Sequence, residues 1–530
     1  LVYVTDGAEA ANAFTIKRDA AAATQGTHAA GITRVTTDNQ DKVIGADIDI
    51  YVAEGKMMRK YTTKGNEQPV VAGVYAYALA TEAAGDGTYK LSFRLSGDAA
   101  ARVELTAEGQ ETVVAATGNY AAGEEVTVTV DVADFEAGVT YNWQVVVENK
   151  AVPGVSALYT DATQSGNGVV QNQNPESDYF GTIYYSSKSD RAMYTFNPQL
   201  EMSTSFAAKG WDTSVGASPW RLAILPNDNV LVSDWGDAHG GIYRINPEQP
   251  ETIHNFFAGT INSGSGEWKY DGSVLGGSTS GMSVRGTGDD TRLYTFQEDY
   301  PSDYSLTMVS YHIGNADQIT TVPDETYPTI SARMVNGNVD VIAADDWMVL
   351  SQVRGAGNNN AAVPSFIIAD YDDKVLFNSS ELSLTGSDGA IALSADAKRL
   401  FVMDNADIIH VYDINLSNEA EPLTEVYAFE PSKAGEAYQM TFDYAGNLLI
   451  AGRSAFQAYT IPCDAKEVVT PAPAAQTITG TSGVETVAVS DSTAPAEYYN
   501  LQGVRVAADR LTPGIYIVRQ GNRATKVLVK

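Results

Sequence analysis

The chain contains a single cysteine, Cys463, among 530 residues. One thiol forms no intrachain disulfide and no cysteine-based zinc cluster, and no Cys-His signature surrounds it, so an incidental or buried thiol is expected rather than a nucleophile. Positive charge is scarce as well. Lys plus Arg number 34 against 66 Asp plus Glu, a formal charge of −32, and such a body repels nucleic acid and anionic lipid surfaces. No run approaches the roughly 18 consecutive apolar residues that a membrane helix needs, so no transmembrane helix is expected. The five histidines, at 28, 239, 254, 312 and 410, show no metal-ligand spacing. The chain begins at Leu1, without a basic start and an apolar core, and an export signal is expected to have been removed already.

What is present is alternation. Gly 46, Tyr 29 and 19% charged residues, with apolar positions recurring at every second residue, place the chain in the all-β class. Its length predicts roughly three or four domains.

Three stretches repeat one pattern: RLAILPNDNVLVSDW from Arg221, AIALSADAKRLFVMD from Ala390 and QMTFDYAGNLLIAGR from Gln439. Each is a strand, a polar turn, a second apolar strand and then a third with a Tyr-containing run. First strands beginning near Val169, Arg221, Gly281, Ser331, Ala390 and Gln439 are spaced by 52, 60, 50, 59 and 49 residues. Those are propeller-blade periods. Residues 153–465 therefore read as a six-bladed β-propeller, seven-bladed if the N-terminal hairpin or the span from Ala157 to Gln173 adds a blade. Second strands are expected at TIYYSS, NVLVSDW, RLYTFQE, VDVIAADDW, RLFVMDN and NLLIAGR. The strand that closes the ring is unassigned. The repeats resemble the NHL and YVTN propellers, a likeness of fold that carries no reaction.

Residues 1–68 read as an N-terminal arm or small β-module, with IDIYVAEGKMMRKYT as a hairpin turning at Glu54 and Gly55. Residues 69–152 alternate cleanly: Tyr89, Leu91, Phe93 and Leu95 share a face, as do Val126, Val128, Val130 and Val132, and Tyr141, Trp143, Val145 and Val147. This predicts an immunoglobulin-like β-sandwich. DFEAGVTYNWQVVVEN, with Phe135, Gly138 and Tyr141, resembles the corner of a fibronectin type III domain, which implies a spacer with Trp143 in its core. VVTPAPAAQTITGTSG, within 466–483, reads as a linker. Residues 484–530 form a compact C-terminal β-domain holding 6 basic and 2 acidic side chains in its last 34 residues. Tyr499, Asn500, Leu501, Gly503 and Val506, then Gly514, Tyr516, Val518, Lys526 and Lys530, resemble the sorting-type domain of secreted Bacteroidota proteins. That resemblance implies export through a type IX-like route, contact of this domain with export machinery, and a secreted or outer-membrane-surface location.

No sialidase box, zinc helix, nucleophile elbow, phosphate loop or EF-hand pattern occurs, so no catalytic residue, metal or cofactor is assigned. A propeller's ligands are expected on one face. The repeats predict that this face collects Asp234, Trp235, Asp237 and His239, then Asp345, Asp346 and Trp347, then Asp404, Asn405 and Arg453, with Trp220, Asp388 and Glu436 at blade junctions. Indoles stack on pyranose faces while carboxylates accept hydroxyl hydrogen bonds. The leading expectation is a non-enzymatic surface binder of an extracellular glycan or a surface protein. The alternatives are a polysaccharide hydrolase or lyase pairing Asp234 with Asp345 or Asp404, and a structural part of a surface assembly.

Overall fold

The computed structural model describes residues 73–85, 87–161, 165–203, 219–235, 241–257, 279–297, 306–320, 322–334, 339–354, 363–382, 384, 386–433, 437–480, 496–501, 503–520 and 523–529, with short strands at 2–4, 12–14, 28–34, 49–54, 57–62, 260–261, 268–270 and 273–275. Strand alternation governs nearly all of it, as the sequence predicts.

Six four-stranded antiparallel blades arise from the repeats. Their first, innermost strands are Gly168–Gln171, Pro219–Ile224, Thr279–Arg285, Val339–Ala343, Ile391–Leu393 and Ala437–Phe442, for blades 1 to 6 in order. Each innermost strand contacts the next, and the sixth contacts the first, so the ring closes. Apolar side chains pack between neighbouring blades: Tyr184, Leu222 and Val309 in one cluster, Val349, Ile391 and Tyr412 in another, Val169, Tyr185 and Leu449 in a third. Each buried side chain of this kind contributes about 1.5–3 kcal/mol, and the closed ring leaves no blade face exposed.

The closing strand comes from the far end of the propeller sequence. Ser156–Asp161 pairs antiparallel with Phe456–Thr460 and forms the outer strand of blade 6. The span from Ala157 thus completes the sixth blade and adds no seventh. Blade 4 departs from the expected register. VDVIA is its first strand, and its second is Trp347–Arg354; the segment ending at Ser331 forms a short helix, Pro328–Ser331. The turn between these two strands, Ala344–Asp346, reads in sequence like the polar end of one longer strand. A tight turn recurs between first and second strands, where Leu225 N and Asp443 N donate to the carbonyls four residues on, Asn229 and Asn447, and Ser394 N donates to the carbonyl five residues on, Arg399. Its fourth residue is left-handed, at Asp228, Ala397 and Gly446 (φ 67, 54 and 91°).

The immunoglobulin-like sandwich is split in sequence. One sheet orders Val126–Asp131, Thr88–Leu95 and Ala76–Ala83; the other orders Lys466–Pro471, Thr140–Asn149, Ala99–Thr106 and Val113–Tyr120. Its core holds Leu91, Phe93, Leu95, Tyr141, Trp143, Val145 and Val147 on the expected faces, and the Trp143 indole donates to Thr81 Oγ1 at 2.9 Å. The expectation of a linker over 466–483 is corrected within its described part. Lys466–Pro471 pairs with Gln144–Asn149, Ile478 and Thr479 pair with Tyr141 and Thr140, and Ile478 is fully buried. Arg102 fixes the added strand from across the sheet, with bonds of 2.7 and 2.9 Å to Glu467. The propeller is therefore inserted into the sandwich, and the two crossings run side by side through the Val152–Cys463 pair.

The sandwich docks on the propeller rim formed by the turns between first and second strands. Tyr75, Phe180 and Tyr444 form an aromatic triangle with centroids 4.8–5.9 Å apart, and Asn447 Nδ2 donates to the Gly73 carbonyl at 2.8 Å. Gly73 is required there: its φ is +87°, and a Cβ would lie 2.3 Å from Asn447 Oδ1.

Further strands lie at both ends of the chain. Asp49–Glu54 and Met57–Thr62 pair as the expected hairpin, His28–Arg34 adds to it, and Met57 meets Ala428 on the outer strand of blade 5. At the other end, Arg505–Val506, Glu497–Tyr499, Gly514–Gln520 and Arg523–Val529 form one sheet in that order. VETVAV lies outside the described residues.

Candidate functional site

The axis of the ring is filled. Gln439 of blade 6 accepts from Val169 N and Leu222 N, both at 3.0 Å, and donates to Leu222 O at 2.9 Å, joining three innermost strands. Fully buried Arg221 of blade 2 donates to Tyr438 O at 2.8 Å and to Val339 O, and its Nε lies 3.4 Å from Asp340 of blade 4. Burial pushes the Asp340 carboxyl up to about 6, against the pull of Arg221 and the Ile391 and Val341 amides. Burial likewise pushes the Arg221 guanidinium down.

Strand direction then sorts the expected residues onto two rims. The upper rim is where first strands begin and second strands end; the sandwich docks on the lower. Pro219 pairs with Asp234, so Trp220, Asp234 and Trp235 are on the upper rim, as are Asp388, paired with Val353, and Arg453, Asp404 and Asn405 in turns after second strands. Asp345, Asp346 and Trp347 are not. They occupy the turn between the first and second strands of blade 4 and the start of that second strand, which is the lower rim. The shared face for Trp235 and Trp347 is corrected, because the two Asp-Trp pairs sit at opposite ends of their blades. Trp347 packs against the cluster between blades 4 and 5, and its carbonyl accepts from Tyr371 Oη at 3.1 Å. Asp237, His239 and Glu436 lie outside the described residues.

Asp404 serves the scaffold. Asp404 Oδ1 accepts from the amides of Ala406 and Ile408, both at 2.9 Å, and Oδ2 pairs with His410 Nε2 at 3.1 Å. Burial raises this carboxyl, but those bonds outweigh it and hold the group below the usual carboxylate range. Asp234 is fully buried. A hydrolytic pair needs carboxyl groups about 5–9.5 Å apart across a substrate. Asp234 and Asp345 are on opposite rims, and Asp234 and Asp404 belong to blades facing each other across the ring.

What converges on the upper rim is aromatic and cationic. Buried Trp220 lies 4.5 Å from half-buried Trp235 and 4.9 Å from Tyr438, centroid to centroid. Lys188 Nζ stands 4.5 Å over the Trp235 ring and 5.5 Å from that of Trp220. Arg453 Nε donates to Tyr438 Oη at 3.1 Å. The cluster is built on bonded turns. Asn167 Oδ1 accepts from Lys188 N at 2.8 Å, Ser187 Oγ accepts from Asp190 N at 3.2 Å, and Ser186 Oγ donates to the Trp220 carbonyl. Blades 1, 2 and 6 each contribute side chains.

No protein-family model matches the chain, and no curated protein matches it. Among solved structures it is similar to a structural genomics protein of unknown function from Bacteroides thetaiotaomicron, at 10% identity and a TM-score of 0.37, covering 75% of this chain and 100% of that one. It is similar to the WD40 repeats of RRP9, at 10% identity and 0.36, covering 60% and 100%. The apo-form of the soluble aldose sugar dehydrogenase from Escherichia coli is similar at 12% identity and 0.37, covering 58% and 99%.

A cleft of about 1010 Å³ opens on the lower rim between blades 5 and 6 and the crossings to the sandwich. Most of its ionic groups are already engaged: Arg399 with Asp413 at 2.8 Å, Lys398 with Asp396 at 3.5 Å, Lys466 with the Ala445 carbonyl at 2.7 Å, and Asp443 with the Ala445 and Asn447 amides. The upper cluster keeps a half-buried indole, so it is the stronger candidate.

Sequence reasoning found Trp220, Trp235 and Arg453 but missed Lys188 and Tyr438. Tyr438 stands one residue before the expected start of its strand, at Gln439, and Lys188 one residue after TIYYSS. Strand-end offsets common to the blades are the signal that would have found both.

Proposed function

We propose that the chain is a non-enzymatic carbohydrate-binding protein of the cell surface, whose upper rim holds a glycan against Trp235. The observation that carries this reading is the packing of half-buried Trp235 against buried Trp220, which in turn packs against Tyr438, at the mouth of a filled axis on the rim away from the sandwich. A rigid, partly exposed indole offers a large apolar face at little entropic cost, the surface a pyranose ring needs. The expected pairs argue against hydrolysis, since Asp234 is buried, Asp404 is tied to its turn and Asp345 is on the other rim. The sandwich serves as spacer, and the C-terminal β-domain, with its sorting-type pattern and basic excess, serves as the device for export and display.

A screen of soluble polysaccharides against the whole chain, repeated with Trp235→Ala, tests the reading. Loss of a packed aromatic contact costs on the order of 1–3 kcal/mol of binding. Binding that survives Trp235→Ala unchanged, in a variant that melts like the parent, would refute it.

A further inference from the structure

We infer that the C-terminal sheet docks on the lower propeller rim of a second copy of this chain. Among the described residues the sheet is one layer whose strands pair only with one another. One of its faces is covered by its own chain: Tyr516 is buried, and its hydroxyl accepts from Thr512 N at 3.2 Å. The other face is open. Register places Tyr499 beside Ile517, Ile517 beside Lys526, Ile515 beside Leu528 and Glu497 beside Arg519 on it. Ile517 and Leu528 are 37% and 45% exposed there. A sheet of this kind needs a second layer over its apolar face, and large apolar side chains that adjoin one another in the open mark a contact surface. Arg505 is held by Glu497 at 2.9 Å. Arg519 and Lys526, on the same face, are exposed and have no carboxylate partner among the described residues.

The chain itself carries the complement. The lower rim of blades 2 to 5 is built from the turns at 225–229, 246–252, 286–291, 313–320 with 322–324, 344–346, 371–374, 394–398 and 415–422. These hold 14 acidic side chains against two basic ones, Lys374 and Lys398. Glu248, Glu251, Asp289, Asp290, Asp345 and Asp346 are exposed among them. The turns after second strands on the upper rim, at 188–191, 404–408 and 453–455, hold three of each sign, so the excess belongs to the lower rim. The C-terminal domain, with 6 basic and 2 acidic side chains in its last 34 residues, meets opposite charge there, whereas two such sheets placed face to face would bring like charges together. In the single chain the face stays open, so its cover comes from another molecule. At physiological salt the Debye length of about 8 Å screens the repulsion between two acidic bodies and spares charges in contact. Those charges orient the contact, while Ile517 and Leu528 supply the apolar burial. The two surfaces differ, so a dimer keeps one free sheet and one free rim, and association continues past it. The upper rim with Trp235 stays clear.

Sedimentation velocity of the whole chain at rising concentration, in about 0.15 M salt, should show dimers and larger species. Their affinity should fall about tenfold in about 1 M salt, where the Debye length is about 3 Å. Two variants separate the surfaces. Truncation after Gly480 removes the sheet, and Asp289→Lys, Asp290→Lys, Asp345→Lys and Asp346→Lys together reverse the charge of adjoining turns on blades 3 and 4. Near-ultraviolet circular dichroism checks that both keep the fold of the sandwich and propeller. Each alone should be monomeric. Mixed, they should form a one-to-one dimer, because the reversed variant still offers its sheet and the truncated chain its rim, and Leu528→Asp added to the reversed variant should abolish it. Self-association of the reversed variant as strong as the parent's overturns the inference by pairing sheet with sheet. Self-association of the truncated chain overturns it by leaving the sheet out. A whole chain that stays monomeric overturns it as well, and a sedimentation coefficient that then falls with rising salt places the sheet on its own rim.

Discussion

Replacing Asp340 with Asn decides which force governs the axis of the propeller. Asp340 is buried and 3.4 Å from Arg221 Nε, and it accepts from Val341 N at 3.0 Å. The ion pair favours the charged carboxylate; burial favours the neutral acid. Burial wins, moving the carboxyl from an ordinary 3.8 up to about 6. A folded-state value above the unfolded one means that the proton binds the folded protein more tightly. Its stabilising effect is complete below about pH 4 and is lost as pH rises through about 6. At 1.36 kcal/mol per unit, a shift of roughly two units corresponds to about 3 kcal/mol. Asn mimics the protonated acid and does not titrate. Urea unfolding of parent and variant, followed by near-ultraviolet circular dichroism, should give similar stabilities near pH 4. The variant should then gain on the parent by about 3 kcal/mol as pH approaches about 7. Taking the difference cancels the other acidic groups. A difference that stays flat, or one in which the parent gains as pH rises, would refute the reasoning and show that Arg221 repays the burial of the charge.

Trp347→Ala should lower stability by about 3 kcal/mol through a cavity between blades 4 and 5, with glycan affinity unchanged when measured on the folded fraction. Truncation after Gly480 should leave the sandwich and propeller melting as in the full chain. Truncation after Cys463 should remove the strand Lys466–Pro471 and buried Ile478 and expose Trp143, visible as a red shift of its fluorescence.

Much of the fold is legible in local pattern. Period-two alternation names the buried faces of the sandwich down to Trp143, and the recurrence of strand, turn and strand at 49–60 residues counts six blades, because both signals depend only on which side of a strand meets water. The indoles at the upper rim are legible for the same reason: strand ends in successive blades share one direction. Three things are decided only by the tertiary structure. Ser156–Asp161 closes blade 6 against Phe456–Thr460, and Lys466–Pro471 completes a sheet begun before the propeller. Each pairing joins segments roughly 300 residues apart, and an edge strand buried on one face, with only Val468 and Thr470 turned inward, reads like a linker until its partner is beside it. The rim of Trp347 turns on whether three residues form a turn or prolong a strand, which alternation cannot distinguish, since either choice leaves the flanking apolar positions in phase. The meeting of Lys188, Trp235 and Tyr438 likewise exists only once the ring closes. Blades 1 and 6 are neighbours through closure, and no spacing along the chain records the distance across that seam.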